Sequence, residues 1–223
     1  MRRMGHIFSS LETCLSKGTY HPSQGGMLYA DISQSKLNSL NISDTILLWS
    51  NDLSNESLLE LIEVAYAFNW RQVTFNFPLR GAVVKGNIRL VSGRDENPNG
   101  GSYSVQCLYG KGLVYAHDIA ENQEWAGTII DETVFDPLNS FKAGKDLLGK
   151  YVTDYNVPLK YDQFRQSKVF KLKQGPLNEE SLKNSLDMID YVFALDNKGV
   201  DNESVQRKIK NTKDFLIYTK DLL

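Results

Sequence analysis

The hydrophobic period of this chain changes repeatedly between Lys36 and Ile130, and that alternation restricts the fold more than any other feature. Lys36 to Ile42 and Thr45 to Trp49 read as two strands joined tightly at Ser43 and Asp44. A helical stripe follows, with Leu58, Leu61, Ile62, Ala65, Tyr66 and Phe68 on one face and Ser54 or Asn55 as its cap. Phe77 to Ile88 reads as a strand opened by Pro78, where a missing N–H is tolerated. Gly110 to Glu124 reads as a helix with Leu113, Ala116 and Ala120 inward. Trp125 to Ile130 reads as a short buried strand. Strands and helices interleaved in this way define an α+β protein in which each helix lays one apolar face on a sheet.

The flanking segments are less regular. Ile7, Phe8, Leu11 and Leu15 make a short helical stripe, and Gly18 to Gly26 is rich in turn residues. Ser92 to Ser102 reads as a polar loop. Beyond Leu138 the composition shifts. Val157 to Tyr161 and Val169 to Lys173 read as a strand pair. Asn178 caps a helix that Gly199 closes, and Asp201 or Asn202 opens a last helix. Arg207, Lys208, Lys210 and Lys213 form the basic outer face of that helix, which reads as a solvated face.

Bulk chemistry removes several classes of function. The 223 residues carry 25 Lys and Arg against 27 Asp and Glu, so the net charge of −2 gives no electrostatic case for nucleic acid as a partner. No apolar run is long enough to span a membrane, and the basic start Met-Arg-Arg-Met lacks the apolar run of a signal peptide. Cys14 and Cys107 show no motif spacing and read as reduced thiols of a cytoplasmic protein.

The candidate chemistry lies in three segments. Asp44, at the tip of the first strand pair, can project a carboxylate toward a hard cation such as Mg²⁺ or Mn²⁺; Ser-Asp is equally an ordinary turn pair. Arg80, in Pro78-Leu79-Arg80-Gly81, sits among apolar residues and should pair with a carboxylate, Asp44 or Asp131. Lys85 can face a phosphate or simply water. Lys111, at the start of the Gly110 helix, can meet an anion with help from the helix dipole. His117 reads as a packed or surface histidine.

Taken in order, the Ser43-Asp44 hairpin, the Arg80-Gly81 strand, the helix opened by Gly110 and the strand ending at Asp131 resemble a class III nucleotidyl cyclase domain. The nearest type is the bacterial one that includes the pyrimidine cyclases of antiphage defence. The resemblance covers roughly residues 5 to 135. It implies a ferredoxin-like antiparallel sheet with helices on one face over 1–138, and a C-terminal extension of two strands and two helices over 139–223. It also implies a nucleoside triphosphate substrate, a cyclic nucleotide and pyrophosphate as products, Mg²⁺ or Mn²⁺, and a homodimer with its sites at the interface. Asp44 matches the second metal-binding aspartate of the family. Arg80, Lys85 and Lys111 become nucleotide-binding candidates.

The chain also departs from the family pattern. The positions of the ribose-binding Asn and the transition-state Arg, counted from Gly110, hold Val114 and Asp118. The family's first strand, with its first metal aspartate, is not seen ahead of the Ile7 helix; the expectation is that it lies upstream or has been lost. Asp31, in Met27-Leu28-Tyr29-Ala30-Asp31, has suitable neighbours but stands only thirteen residues before Asp44, too few for the intervening helix. Three readings follow: an active cyclase, a cyclase-like domain that binds a nucleotide or a partner without turnover, and an unrelated α+β interaction protein.

Overall fold

The computed structural model describes residues 2–195 and 200–222. The helix end expected at Gly199 lies outside the described residues.

The chain opens with α1 (Arg2–Leu15) and two small hairpins: β1 (Tyr20–Pro22) with β2 (Leu28–Ala30), and β3 (Leu37–Ile42) with β4 (Thr45–Ser50). The expected turn at Ser43 and Asp44 forms, and Ser43 enters the left-handed region at φ 56° to close it. Of the two expected caps for helix α2 (Asn55–Arg71), Ser54 serves: its side chain accepts the Ser57 N–H at 3.2 Å. A single π-helical turn, Gln72–Asn76, ends the helix.

The main sheet has four strands in the order β5, β8, β10, β9. They are β5 (Gly81–Val83), β8 (Thr128–Ile130), β10 (Gln163–Phe170) and β9 (Val152–Leu159). β5 runs parallel to β8, which is antiparallel to β10, which is antiparallel to β9. The expected C-terminal strand pair exists, but each strand begins earlier than its apolar run suggests. The pair also supplies half of the main sheet, so the sheet joins the two sides of the 138/139 boundary.

Alternation along these strands sends side chains to two cores. Ile129, Val157 and Val169 face one way, onto α3 (Lys111–Glu121), α6 (Glu179–Ala194) and α7 (Glu203–Thr219), where Trp125, Ile119, Val192 and Phe215 are buried with them. Val83, Ile130 and Phe170 face the other way, onto Ile62 and Tyr66 of α2 and onto α4 (Glu132–Asn139) and α5 (Lys142–Tyr151). The expected antiparallel sheet with helices on one face is therefore corrected. The sheet is mixed, and α2 and α3 lie on opposite faces. The reason is the parallel β5–β8 pair, since a connection between parallel neighbours must cross a face of the sheet, and α3 makes that crossing.

The β3–β4 hairpin does not join this sheet. Leu37, Ile46 and Leu48 pack instead against Ile7, Leu11, Val64 and Phe68, so α2 has a second buried face turned toward α1. The expected strand over 77–88 is reduced to Gly81–Val83. The expected loop at 92–102 is largely strand: β6 (Arg89–Glu96) and β7 (Ser102–Tyr109) form a hairpin turning through Asn97–Gly101. Helices α4 and α5 were not foreseen, because Pro137 and Gly144 interrupt their apolar pattern. The Asn178 cap forms as expected, accepting the Ser181 N–H at 2.8 Å, and of Asp201 and Asn202 it is Asn202 that caps the last helix, accepting the Ser204 N–H at 2.9 Å.

Candidate functional site

The link from β5 to α3 positions the candidate residues. Beyond Val83 the chain reaches Lys85, whose backbone N–H donates to Thr133 Oγ1 at 3.0 Å. Gly86 then crosses Gly112, in the first turn of α3. A Cβ added at Gly86 would lie 2.4 Å from the Gly112 Cα, and one added at Gly110 would lie 2.1 Å from the Asn87 carbonyl oxygen. Only glycine lets the two backbones approach this closely. Lys85 and Lys111 each precede one of the two touching glycines, and both are exposed, where the parallel strands β5 and β8 end and α3 begins. A helix N-terminus beside the carboxyl ends of parallel strands is a polarised place for an anion.

Asp131 closes the floor of this region. It leaves β8, caps α4 by accepting the Thr133 N–H at 3.1 Å, and accepts the Tyr115 hydroxyl at 2.8 Å. It is buried. Burial alone would raise its carboxyl, but the Thr133 and Tyr115 hydrogen bonds and nearby Arg165 outweigh that and hold it below the usual carboxylate range. The Tyr115 hydroxyl is raised, first by its bond to Asp131. Sequence reading did not single out Tyr115 or Arg165. They lie 16 and 34 positions from Asp131, and no local motif links them.

Arg80 goes elsewhere. Its guanidinium bonds Glu121 and lies 3.4 Å from the Gln123 carbonyl and 3.5 Å from the Glu121 carbonyl, at the C-terminal end of α3. Lys160 adds a second cation 3.7 Å from Glu121. The expected pairing with Asp44 or Asp131 is thus corrected: the partner is Glu121, because β5 runs antiparallel to α3 and brings Arg80 to the end where free carbonyls need a cation. Burial works against the Glu121 carboxylate, yet Arg80 and Lys160 hold its pKa below the ordinary value. The eleven residues of α3 span about 16 Å, so Arg80 and Lys111 do not meet on one phosphate.

The two candidate metal ligands occupy separate hairpin regions. Asp44 is exposed at the β3–β4 turn, beside a small apolar depression lined by Ile7, Phe8, Ile46, Phe77 and Leu79. Asp31 follows β2 and accepts the Ser33 N–H at 3.0 Å. The Ser33 hydrogen bonds lower its pKa. No group of three or more His, Cys, Asp or Glu that could hold a metal gathers among the described residues.

The basic face of α7 is a paired surface: Lys210 meets Asp214 at 2.8 Å, Lys213 meets Asp190 at 2.5 Å, and Arg207 lies 3.6 Å from Glu124. No helix among the described residues is long and apolar enough to cross a membrane. Comparison with known protein families, with curated proteins and with solved structures finds no match to this chain.

Proposed function

We propose that this chain is a cyclase-like nucleotide-binding domain that holds a nucleoside triphosphate without converting it. The observation that carries the proposal is the Gly86–Gly112 crossing at the start of α3, with an exposed lysine, Lys85 or Lys111, immediately before each glycine. There the two ammonium groups and the helix dipole offer a phosphate chain positive charge from two sides. Mg²⁺ or Mn²⁺ would reach this site as the counterion of the triphosphate; Asp44, the family-matched carboxylate, lies on the separate β3–β4 hairpin beside Phe77 and Leu79. The absence of turnover rests on two features: Asp31 and Asp44 stand apart, and Val114 and Asp118 occupy the positions where active cyclases carry Asn and Arg.

Turnover in a homodimer is the second reading. It is favoured by the exposure of Asp44 at a hairpin tip, where a second subunit could complete the site.

Calorimetric titration of the protein with each of the four nucleoside triphosphates, with and without Mn²⁺, tests the proposal. Binding is expected for at least one, weakened about tenfold or more in the Lys85→Ala/Lys111→Ala double variant, since a charge-assisted bond contributes about 1.5–3 kcal/mol. Equal affinity in the double variant removes this site. Cyclic product in the same mixtures establishes the second reading in place of the first.

A further inference from the structure

Among the described residues, the β6–β7 hairpin is an arm with no apolar cover. Neither strand contributes to any of the three apolar clusters. Tyr103 is 66% exposed, Val91 49% and Tyr109 47%. An isolated two-stranded ribbon is marginal in water, so an arm of eight paired positions calls for a partner.

The two edges of the arm differ in chemistry. β6 carries Arg89, Arg94, Asp95 and Glu96, charges of the kind that guard an edge strand. β7, Ser-Tyr-Ser-Val-Gln-Cys-Leu-Tyr, has no charged residue and no proline. The Asn97 N–H donates to the Gly101 carbonyl at 2.8 Å, which sets the phase of the ladder. Residues 95 and 103, 93 and 105, 91 and 107, and 89 and 109 then exchange the hydrogen bonds inside the hairpin. The backbone N–H and C=O groups of Ser102, Ser104, Gln106 and Leu108 point away from β6.

We propose that β7 pairs antiparallel with β7 of a second copy of this chain, joining two arms into a four-stranded sheet across a two-fold axis. A second copy fits for three reasons. An antiparallel strand edge is its own complement about a two-fold axis. The uncharged strand places no like charges opposite one another. The aromatic and β-branched side chains Tyr103, Val105 and Tyr109 share one face and would meet their counterparts across the new pair. The contact area is that of a ribbon, below the roughly 800 Å² per partner of a standard interface, so micromolar rather than nanomolar association is expected. This pairing does not rest on the nucleotide reading, and its test needs no nucleotide.

Sedimentation equilibrium across a concentration series up to ~100 µM should show a dimer of the wild-type chain. Gln106→Pro, which removes an outward N–H, and Ser104→Lys/Gln106→Lys, which keeps every N–H but adds charge, should each weaken the dimer at least tenfold. Ser92→Pro, the equivalent change on the opposite edge, should leave it intact. Amide exchange should show the N–H groups of Ser104, Gln106 and Leu108 protected only at high concentration. A wild-type monomer throughout the series overturns the proposal. So does equal weakening by the Ser92 and Gln106 prolines, or concentration-independent exchange at those three amides.

Discussion

Arg80 serves the fold because of where its strand delivers it. One guanidinium satisfies carbonyls that α3 leaves free and draws Glu121 into an ion pair. Arg80→Ala should cost about 1–2 kcal/mol in urea unfolding, limited by the partial exposure of both partners. Nucleotide affinity in the same variant should stay within about twofold. The two thiols separate by burial. Cys14 lies on the buried face of α1 and burial pushes its thiol up to about 11, while Cys107 is exposed on the arm. A thiol reagent at pH 8 should therefore modify one cysteine in the native protein and two after unfolding.

Buried tyrosines set the alkaline limit. Burial raises Tyr66, whose hydroxyl bonds the Lys173 carbonyl, to about 12, and it does the same for Tyr155. A phenol whose folded pKa is raised contributes stability that is complete below the unfolded value near 10 and is lost as pH rises through about 12. Lys171 and Lys173 act in the opposite sense. Burial lowers both, so their cost diminishes as pH approaches the ordinary lysine value. A melting-temperature profile should therefore hold up to about pH 10 and fall steeply between about 10.5 and 12, with Tyr66→Phe flattening the fall.

At the scale of elements, the β5–α3 unit is the part that joins fold to candidate site. Its register rests on two glycines in mutual contact, and a methyl group at either has no room. Gly112→Ala should destabilise the protein by about 1–3 kcal/mol through forced separation of helix and strand. It should also weaken triphosphate binding, because the segments that carry Lys85 and Lys111 would be forced apart. Far-UV dichroism together with a calorimetric titration distinguishes this from global unfolding: the spectrum should persist while affinity falls. The arm is the contrasting element. Replacing residues 89–109 with a short flexible linker should shift the melting temperature by no more than a few degrees, since the arm buries none of the core.

At the scale of the whole molecule, the local signals were legible and the assembly was not. The sequence by itself determined the Ser43–Asp44 turn and the Asn178 cap, narrowed two further caps to Ser54 or Asn55 and Asp201 or Asn202, and marked the existence of most helices, because turns and caps are made by residues a few positions apart. It also marked Lys85 as a residue that can face a phosphate or water, and Lys111 as a cation at a helix start. Only the tertiary structure decided that β9 and β10 complete the sheet of β5 and β8, that α2 and α3 lie on opposite faces, and that the β3–β4 hairpin packs on α1 and α2. Strand pairing is specified by contacts between distant residues, and an apolar stripe records that a face is buried without recording against what. Arg80 illustrates the limit. Its need for a carboxylate follows from its neighbours, but the choice of Glu121 depends on the direction in which β5 runs along α3.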